Sequence, residues 1–453
     1  MAATKDVAAR KPLRPAFNDR GPARHFHGRD GDRRSFARVL AGIDADPQNS
    51  TTFLVQGPPG VGKTALLHKL AEESTQGGWR VVHIDPEVLE SPAAMAQTLE
   101  KRIVQSMDRE LNADLKLTGG KMSYSIAGLQ SVVGVLRKYV DKDHKVALIL
   151  DEAQHLATPS SAEAAASIRS VLNRITNGNV GRKVVLLLGG LSHTWDALRN
   201  RGLSRLRLNC VRDLEALKAE ESRRVVRDWL MEDGCSPDHI EAWTDELADA
   251  AENWPQHIVC CVAAALDYFD AYGDRPTASA IRSVLKSADE DKYAFYSARA
   301  AGLDTDDIAI LGMAAGACGL NAIFETGELL DVPGVRKRDG AARTWLGAFQ
   351  AQGVLANRAG GTQLGPGSKR MQGYYVPIPS MERYLVAQAI GFAAHQPVYS
   401  HEIWEKVRGV LLRRRGRIAA EMQDHLQWHF INPDAPRKEA RNVLMTDAVL
   451  SNG

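Results

Sequence analysis

The sequence has few cysteines, no long apolar run and no dominant charge. No stretch approaches the roughly 18 to 20 apolar residues that a membrane-spanning helix needs. The N-terminal residues MAATKDVAARKPLRP contain no apolar segment of the kind found in signal peptides. The five cysteines show neither CxxC pairing nor zinc-ligand spacing, which argues against a disulfide framework. We therefore expect a soluble, cytoplasmic protein with reduced thiols.

Charge is nearly balanced along the 453 residues. The 57 Lys and Arg residues oppose 55 Asp and Glu residues, for a net charge of +2. Any contact with nucleic acid must therefore come from a local basic surface rather than from the overall charge. A chain of this length forms about two to four domains.

One segment, FLVQGPPGVGKTALL, carries a specific chemical pattern. It matches G-x-x-x-x-G-K-[ST] between an apolar strand and an apolar helix, which is the context that phosphate-binding loops require. The glycines let backbone amides turn inward around an anion, and the helix N-terminus adds its positive end. The predicted nucleotide contacts are Gly57, Pro58, Pro59, Gly60, Val61, Gly62, Lys63, Thr64 and Ala65.

Two side chains of this loop have predicted individual roles. We expect Lys63 to reach the β- and γ-phosphates and the Thr64 hydroxyl to bind Mg²⁺. A metal-holding carboxylate and a group that orients water should then follow elsewhere in the chain.

The segment VALILDEAQ provides both of these groups. Its apolar residues predict a buried parallel strand, and its two acids follow at the carboxyl end, where open α/β sheets bind ligands. We expect Asp151 to hold Mg²⁺ and Glu152 to polarise the attacking water.

The pair GPPGVGKT and LILDEAQHL resembles the AAA+ group of P-loop ATPases, in particular its origin-initiator-like and STAND-like branches. The motif DEAQHL also resembles the corresponding motif of the ATPases that assist transposition. The resemblance implies ATP as the nucleotide. FHGRDGDRRSF resembles the GR[DE] box that cups adenine in these branches, which implies that Gly28 and Arg29 lie near the base.

The resemblance also implies candidates for sensing and cleaving the γ-phosphate. In KVVLLLGGLSHT, His193 falls at the position of the polar sensor, where relatives commonly have Asn or Thr. In NRGLSRLRLN, Arg205 falls near the arginine that reaches the nucleotide of a neighbouring subunit, with Arg201 and Arg207 as rivals. Such a finger acts in trans, so the resemblance implies self-association.

Helical periodicity over 211–272 is typical of the small helical lid that follows an AAA+ core. STAND relatives carry G-x-P in this lid, touching the nucleotide. This chain has Asn253-Trp254-Pro255 there, which implies a nucleotide contact for Pro255 although the glycine is missing. His257 has two alternatives, a position lining the nucleotide or a position on the helix surface.

The following segment looks like a winged helix, in which three helices precede a hairpin with a loose tip. Such a domain can place its third helix in a DNA major groove and its wing along the backbone. Basic residues fall at both places and are candidates for DNA contact, namely Arg336, Lys337, Arg338, Arg343, Lys369 and Arg370. A protein-interaction or autoinhibitory role remains the alternative.

The expected fold is α/β, a P-loop NTPase core with a parallel sheet and a helical lid, followed by a winged-helix domain and a helical tail. The expected segments are a flexible basic arm at 1–20, the core at 21–210, the lid at 211–298, the winged helix at 299–390 and the basic tail at 391–453. We interpret the segment 116–129 as an inserted hairpin or loop that would face a substrate or a neighbour, with Lys121 and Tyr124 as contact candidates.

Two functions compete on this evidence. The first is a Mg²⁺-dependent ATPase that oligomerises and acts on DNA in replication, transposition or mobile-element maintenance. The second is a STAND-like signalling or defence switch whose winged helix contacts a regulatory or protein partner. A scaffold that binds nucleotide without turnover is disfavoured because Glu152 is present.

Overall fold

The computed structural model describes part of the chain. It covers residues 22–46, 51–84, 101, 136, 145–157, 170, 172–175, 183–200, 210–304, 307–308, 311–312, 324–325, 342–359, 372–385 and 388. The chain divides into two compact units, Met1–Ala288 and Asp289–Gly453. Within the described ranges, no helix is both long and apolar enough to cross a lipid bilayer.

The first unit is built around a parallel sheet of five strands in the order β2-β3-β4-β1-β5. The strands are β1 (Thr51–Gln56), β2 (Trp79–Ile84), β3 (Lys145–Leu150), β4 (Lys183–Gly190) and β5 (Val211–Asp213). The predicted parallel P-loop core is thereby confirmed. Because the strands are parallel, the carboxyl ends of β1, β3 and β4 meet at one edge of the sheet.

The central strands are apolar because both faces of the sheet are covered. The helices of the core are α1 (Asp30–Ala45), α2 (Lys63–Gln76) and α3 (Thr194–Asn200), with a short 3-10 helix at Ala153–Ala157. On one face, alternate strand residues such as Leu54 and Leu188 pack with Leu156 and Leu198. Phe53 is turned to the other side and contacts Phe36 of α1, with the ring centroids 5.1 Å apart.

A helical region follows the sheet in the same unit. It contains α4 (Ala219–Glu232), α5 (Pro237–Ala250), α6 (Pro255–Tyr272) and α7 (Ala278–Ala300), the last of which ends beyond the unit boundary. Apolar side chains of these helices form a separate core that includes Trp243, Val262 and Phe269. Proline stands at the start of both α5 and α6, where the missing amide hydrogen costs no intrahelical bond.

The helical prediction for 211–272 is wrong at its beginning. Val211–Asp213 forms β5, which pairs in parallel with β1, and α4 starts only at Ala219. The reason is the open edge of β1, whose backbone groups need hydrogen-bond partners and are satisfied by this short strand.

The second unit contains a short helix and a small antiparallel sheet. Its described elements include β6 (Phe324–Glu325), α8 (Ala342–Ala351), β7 (Ala356–Ala359) and β8 (Gln372–Tyr375), with strand order β6-β8-β7. Gly353, at φ 72°, ends α8, and the Val354 amide donates back to the Phe349 carbonyl at 2.9 Å. The winged-helix assignment remains a prediction, and the hairpin tip at 360–371 lies outside the described residues.

Candidate nucleotide-binding site

The loop between β1 and α2 makes a sharp turn at the carboxyl edge of the sheet. Gly60 and Gly62 adopt φ values of 76° and 92°, in the left-handed region that side chains disfavour. The Gly57 amide donates to the Gly190 carbonyl at 3.1 Å, which ties the loop to the end of β4. Because α2 begins directly after Gly62, the free amides of its first turn lie beside the loop. This local geometry suits a phosphate group.

The remaining loop residues are held by the core. Pro58, Pro59 and Val61 are buried, while Thr64 and Ala65 are half-buried in the first turn of α2. Lys63 is buried as well, and its Nζ donates to the Pro58 carbonyl at 2.9 Å. The ammonium group therefore reaches back along the loop rather than out into solvent.

Thr64 and Asp151 are in direct contact. The Thr64 hydroxyl donates to Oδ2 of Asp151 at 2.6 Å, and the Glu152 amide donates to Oδ1 of the same carboxylate at 2.9 Å. The segments GPPGVGKT and LILDEAQHL thus meet at the carboxyl edge of the sheet, beyond the ends of β1 and β3. This contact places two oxygen atoms that can ligate a hard metal ion, the Thr64 hydroxyl and an Asp151 carboxylate oxygen, side by side under the loop.

Two glycines at the end of β4 make room for these groups, and sequence reasoning missed them. A Cβ on Gly189 would lie 2.6 Å from Cδ1 of Leu67 and under 3.0 Å from the Asp151 carboxylate. A Cβ on Gly190 would collide in the same way with the Thr194 side chain. The available signal was the Gly-Gly pair closing an apolar strand, since glycine inside a strand often marks a close approach.

Sequence reasoning also missed Gln56, the last residue of β1. Its buried side chain donates to Oδ1 of Asp213 at 2.7 Å and accepts from the Trp195 amide at 2.9 Å. Its carbonyl accepts from the Leu214 amide at 2.8 Å. Gln56 therefore joins the strand that enters the phosphate loop to the beginning of α3 and to the end of β5.

Glu152 follows β3 with an exposed side chain and an unusual backbone. Its φ of 53° lies in the left-handed region, which is uncommon for a residue with a side chain and is seen often at functional sites. Its carboxylate accepts a hydrogen bond from the side-chain amide of Gln154.

His193 lies in the turn between β4 and α3, at the same edge of the sheet. Burial lowers the pKa of its imidazole below the usual range, and the nearby Asp196 carboxylate opposes that shift. The ring is therefore neutral at pH 7 and has one N–H to donate.

Arg29 contacts the phosphate loop, and its neighbour Gly28 lies against Glu221. One Nη atom of Arg29 donates to the Val61 carbonyl at 3.0 Å and to the Glu215 carbonyl at 2.8 Å. Burial lowers the pKa of this guanidinium below its usual value, and the carboxylates of Asp32 and Glu221 oppose part of that shift. Gly28 has φ 80°, and a Cβ there would overlap the Glu221 carboxylate. Contact with an adenine base stays a prediction for both residues.

The helical region touches the phosphate loop through the start of α6. The Gln256 amide donates to the Gly60 carbonyl at 3.1 Å. A Cβ on Gly62 would lie 3.5 Å from Cγ of Pro255, so Pro255 packs against the loop at its tightest turn. His257, next along α6, is fully buried and does not lie on the helix surface.

Several predicted residues fall outside this geometry. Arg205 and its rivals Arg201 and Arg207 lie outside the described residues, as do Arg336, Lys337, Arg338, Lys369, Arg370 and the insertion at 116–129. Arg343 lies in α8. Their proposed roles stay predictions.

Comparisons with known proteins agree with the fold and with the position of the loop. Residues 47–198 match the family model described as an AAA domain. No curated protein sequence matches the chain.

Two solved structures share the fold at low sequence identity. The Walker-type ATPase PABY2304 of Pyrococcus abyssi has a TM-score of 0.54 at 15% identity, with 82% of this chain and 99% of that chain covered. The ORC2 protein of Aeropyrum pernix, in its ADPNP-ADP complexes, has a TM-score of 0.51 at 14% identity, with 83% and 97% covered. Residues 47–198 therefore form an AAA domain with the P-loop ATPase fold, as GPPGVGKT and LILDEAQHL predict.

Proposed function

We propose that this protein is a Mg²⁺-dependent, self-associating ATPase switch that acts on DNA in the cytoplasm. The observation that carries the proposal is the contact between Thr64 and Asp151 beneath the phosphate loop. A glycine-rich turn can have many uses. A turn whose helix begins with Lys-Thr, with that threonine bonded to the carboxylate that follows β3, is the arrangement needed to hold a triphosphate and its cation.

Lys63 is positioned to bind phosphate without a large movement. Its ammonium group already lies against a carbonyl of the loop, and a phosphate oxygen would replace that neutral acceptor with a charged one. Charge-assisted hydrogen bonds are about twice as strong as neutral ones. Nucleotide binding would therefore draw Lys63 away from Pro58 and close the loop around the phosphates.

The residues present fit a magnesium ion. Mg²⁺ prefers oxygen ligands and is usually held by one or two protein groups together with waters and substrate phosphates. The Thr64 hydroxyl and the Asp151 carboxylate are such groups and lie 2.6 Å apart. Bound there, Mg²⁺ would neutralise charge on the β- and γ-phosphate oxygens.

Hydrolysis requires an oriented water and compensation for negative charge in the transition state. Glu152 is exposed and follows Asp151 directly, so its carboxylate can accept a proton from the attacking water. Neutral His193 would donate its N–H to a phosphate oxygen. Arg205 of a neighbouring subunit would stabilise the transition state, which makes turnover depend on assembly.

Contacts between the phosphate loop and the helical region would transmit the nucleotide state. The Gly60 carbonyl accepts from the start of α6, and Arg29 links the Val61 carbonyl to residue 215, ahead of α4. Closure of the loop around a triphosphate would shift both contacts together. Loss of the γ-phosphate would relax them, which is the basis of a two-state switch.

DNA binding is assigned to the second unit. The helix α8 and the β7–β8 hairpin support a winged helix, in which the cluster Arg336, Lys337, Arg338 would precede the recognition helix. Arg343 would lie on that helix, and Lys369 and Arg370 in the wing. These cations would bind phosphates and give salt-dependent affinity.

A signalling or defence switch is the alternative, and the packing of Pro255 on the phosphate loop favours it. A lid that reads the nucleotide through this proline is typical of STAND-like regulators. In that case the second unit would bind a protein partner instead of DNA.

The deciding experiment measures ATP turnover of the full-length protein with and without duplex DNA, at modest salt. We expect turnover that needs Mg²⁺, stops with chelator and rises with DNA. Glu152→Gln should lower kcat about 100-fold or more, since it removes the proton acceptor. The exposed Glu246 of α5 provides the matched control, Glu246→Gln, which should hydrolyse at the wild-type rate.

The DNA contact is tested separately by replacing Arg336, Lys337 and Arg338 with Ala. Each phosphate contact removed should reduce the slope of log affinity against log salt by about 0.9. Arg282→Ala with Lys286→Ala, two exposed cations of α7, provides the control. Turnover without any response to DNA, together with an unchanged salt slope, would favour the signalling alternative.

A further inference from the structure

The side chain of Gln154 connects Glu152 to the loop that follows β4. Its Nε2 donates to Oε2 of Glu152 at 2.5 Å, and its Oε1 accepts from the Leu191 amide at 3.2 Å. Gln154 lies in the short 3-10 helix Ala153–Ala157 and is half-buried. It thereby links the acid beyond β3 to the first residue beyond β4.

The polarity of both partners defines the orientation of this amide. A carboxylate accepts only, and a backbone N–H donates only. A reversed amide would set its oxygen against the Glu152 carboxylate and its NH₂ against the Leu191 N–H, losing both bonds. The donor end of Gln154 therefore faces Glu152, and the other end is anchored to the backbone after β4.

Glu152 depends on such a bond because packing does not hold its side chain. The residue is exposed, and an exposed glutamate side chain exchanges freely among its rotamers. Holding it in one rotamer costs conformational entropy, which a specific contact must offset. Its backbone is held, since its amide donates to Asp151. The amide of Gln154 engages one carboxylate oxygen, Oε2. Among the residues that the structure describes, none donates to Oε1, which can therefore accept from a water.

We propose that Gln154 is a positioning residue for the ATPase reaction, which holds the Glu152 carboxylate in the direction needed to orient the attacking water. This inference rests on the proposed hydrolytic function. Through the Leu191 amide, the same side chain ties the direction of the acid to the β4–α3 loop that carries His193. If this loop moves when phosphate binds, the Leu191–Gln154 bond would pass the movement to the group that orients the water.

Two substitutions in the full-length protein test the proposal. Gln154→Leu removes both hydrogen bonds at similar volume. Gln154→Glu keeps an acceptor for the Leu191 amide but cannot donate to Glu152. We expect both to lower kcat about tenfold while KM for ATP and affinity for a non-hydrolysable analogue stay within twofold, because displaced supporting groups typically cost about 10- to 100-fold.

Gln76→Leu is the matched control. Gln76 likewise donates to a glutamate, Glu72, at 3.3 Å, but near the opposite end of α2 from the phosphate loop. This variant should hydrolyse ATP like the wild type.

A double-mutant comparison separates positioning from general damage. If Gln154 acts through Glu152, then Gln154→Leu should not slow turnover further in a Glu152→Gln background, measured under single-turnover conditions with excess enzyme. If Gln154→Leu slowed turnover in the Glu152→Gln background as much as it does in the wild type, the proposal would be overturned. A wild-type kcat in both Gln154→Leu and Gln154→Glu would overturn it as well. Activity in the wild type with no effect at Gln154 would reject this inference alone, whereas an inactive wild type would reject the proposed function together with it.

Discussion

Gly189→Ala is the sharpest test of the geometry around Asp151. Gly189 lies inside β4 with an ordinary strand backbone, so alanine meets no backbone strain there and the effect is purely steric. Its Cβ would lie 2.6 Å from Cδ1 of Leu67 and overlap Oδ1 of Asp151. Leu67 is buried in α2, and Asp151 is bonded to Thr64 and to the Glu152 amide. Neither neighbour can move without losing contacts.

The expected magnitudes differ for stability and for function. Overpacking in a dense core costs about 1–3 kcal/mol, which for a domain of this size lowers Tm by on the order of 2–10 °C. Turnover should fall further, because a displacement of about 1 Å in a catalytic constellation can cost about 100-fold. We expect kcat/KM for ATP to drop by about that factor, with Asp151 pushed away from Thr64.

The assay pairs thermal unfolding with steady-state hydrolysis, and Gly42→Ala serves as the control. Gly42 lies in α1, and a Cβ there would meet nothing within 4 Å. Alanine should therefore stabilise that helix by about 0.5–1 kcal/mol and leave hydrolysis unchanged. The two Gly→Ala changes are thus expected to shift Tm in opposite directions. A Gly189→Ala protein that melts and hydrolyses like the wild type would refute the inferred position of Asp151.

Three further predictions concern the loop and its supports. Lys63→Met keeps the length of the side chain but removes its charge, so the Kd for ATP measured by calorimetry should rise at least about tenfold. Arg29→Lys keeps the charge, but the lysine side chain is one bond shorter and does not reach the position of the Nη atom that donates to the carbonyls of Val61 and Glu215, so the free energy of unfolding in denaturant should fall by about 1–3 kcal/mol. The lowered pKa of His193 means that the unfolded chain binds more protons below pH 6.5, so stability should fall as the pH drops from 8 to 5.5. That part of the loss should be absent in His193→Asn.

Each of these has an outcome that contradicts it. Unchanged ATP affinity in Lys63→Met would place the phosphates elsewhere. An Arg29→Lys protein as stable as the wild type would mean that the two carbonyl bonds add nothing. Equal acid sensitivity in wild type and His193→Asn would show that burial of this imidazole does not oppose its protonation.

The core and its main motifs could be predicted from local patterns. The strands β1, β3 and β4 are short apolar runs because both faces of a parallel sheet are covered. Gly60 and Gly62 are glycines because the turn needs positive φ values, which residues with a side chain disfavour. Lys63 and Thr64 follow at the fixed spacing of the phosphate-loop motif. These features depend on residues adjacent in the chain, so the sequence was sufficient to place the phosphate loop and the P-loop fold.

Other features required the packed molecule. Three contacts join segments that are far apart in sequence: Gly189 with Asp151, Gln154 with Leu191, and Arg29 with Glu215. The order of the strands determines which segments meet. The strand Val211–Asp213 is too short for its periodicity to distinguish a strand from a helix, and it is the open edge of β1 that selects a strand. Periodicity and motif spacing are local quantities, but the partner of a side chain depends on register and topology. For that reason the sequence alone was enough to recognise the nucleotide-binding chemistry, and the tertiary structure was needed to identify the groups that hold it in position.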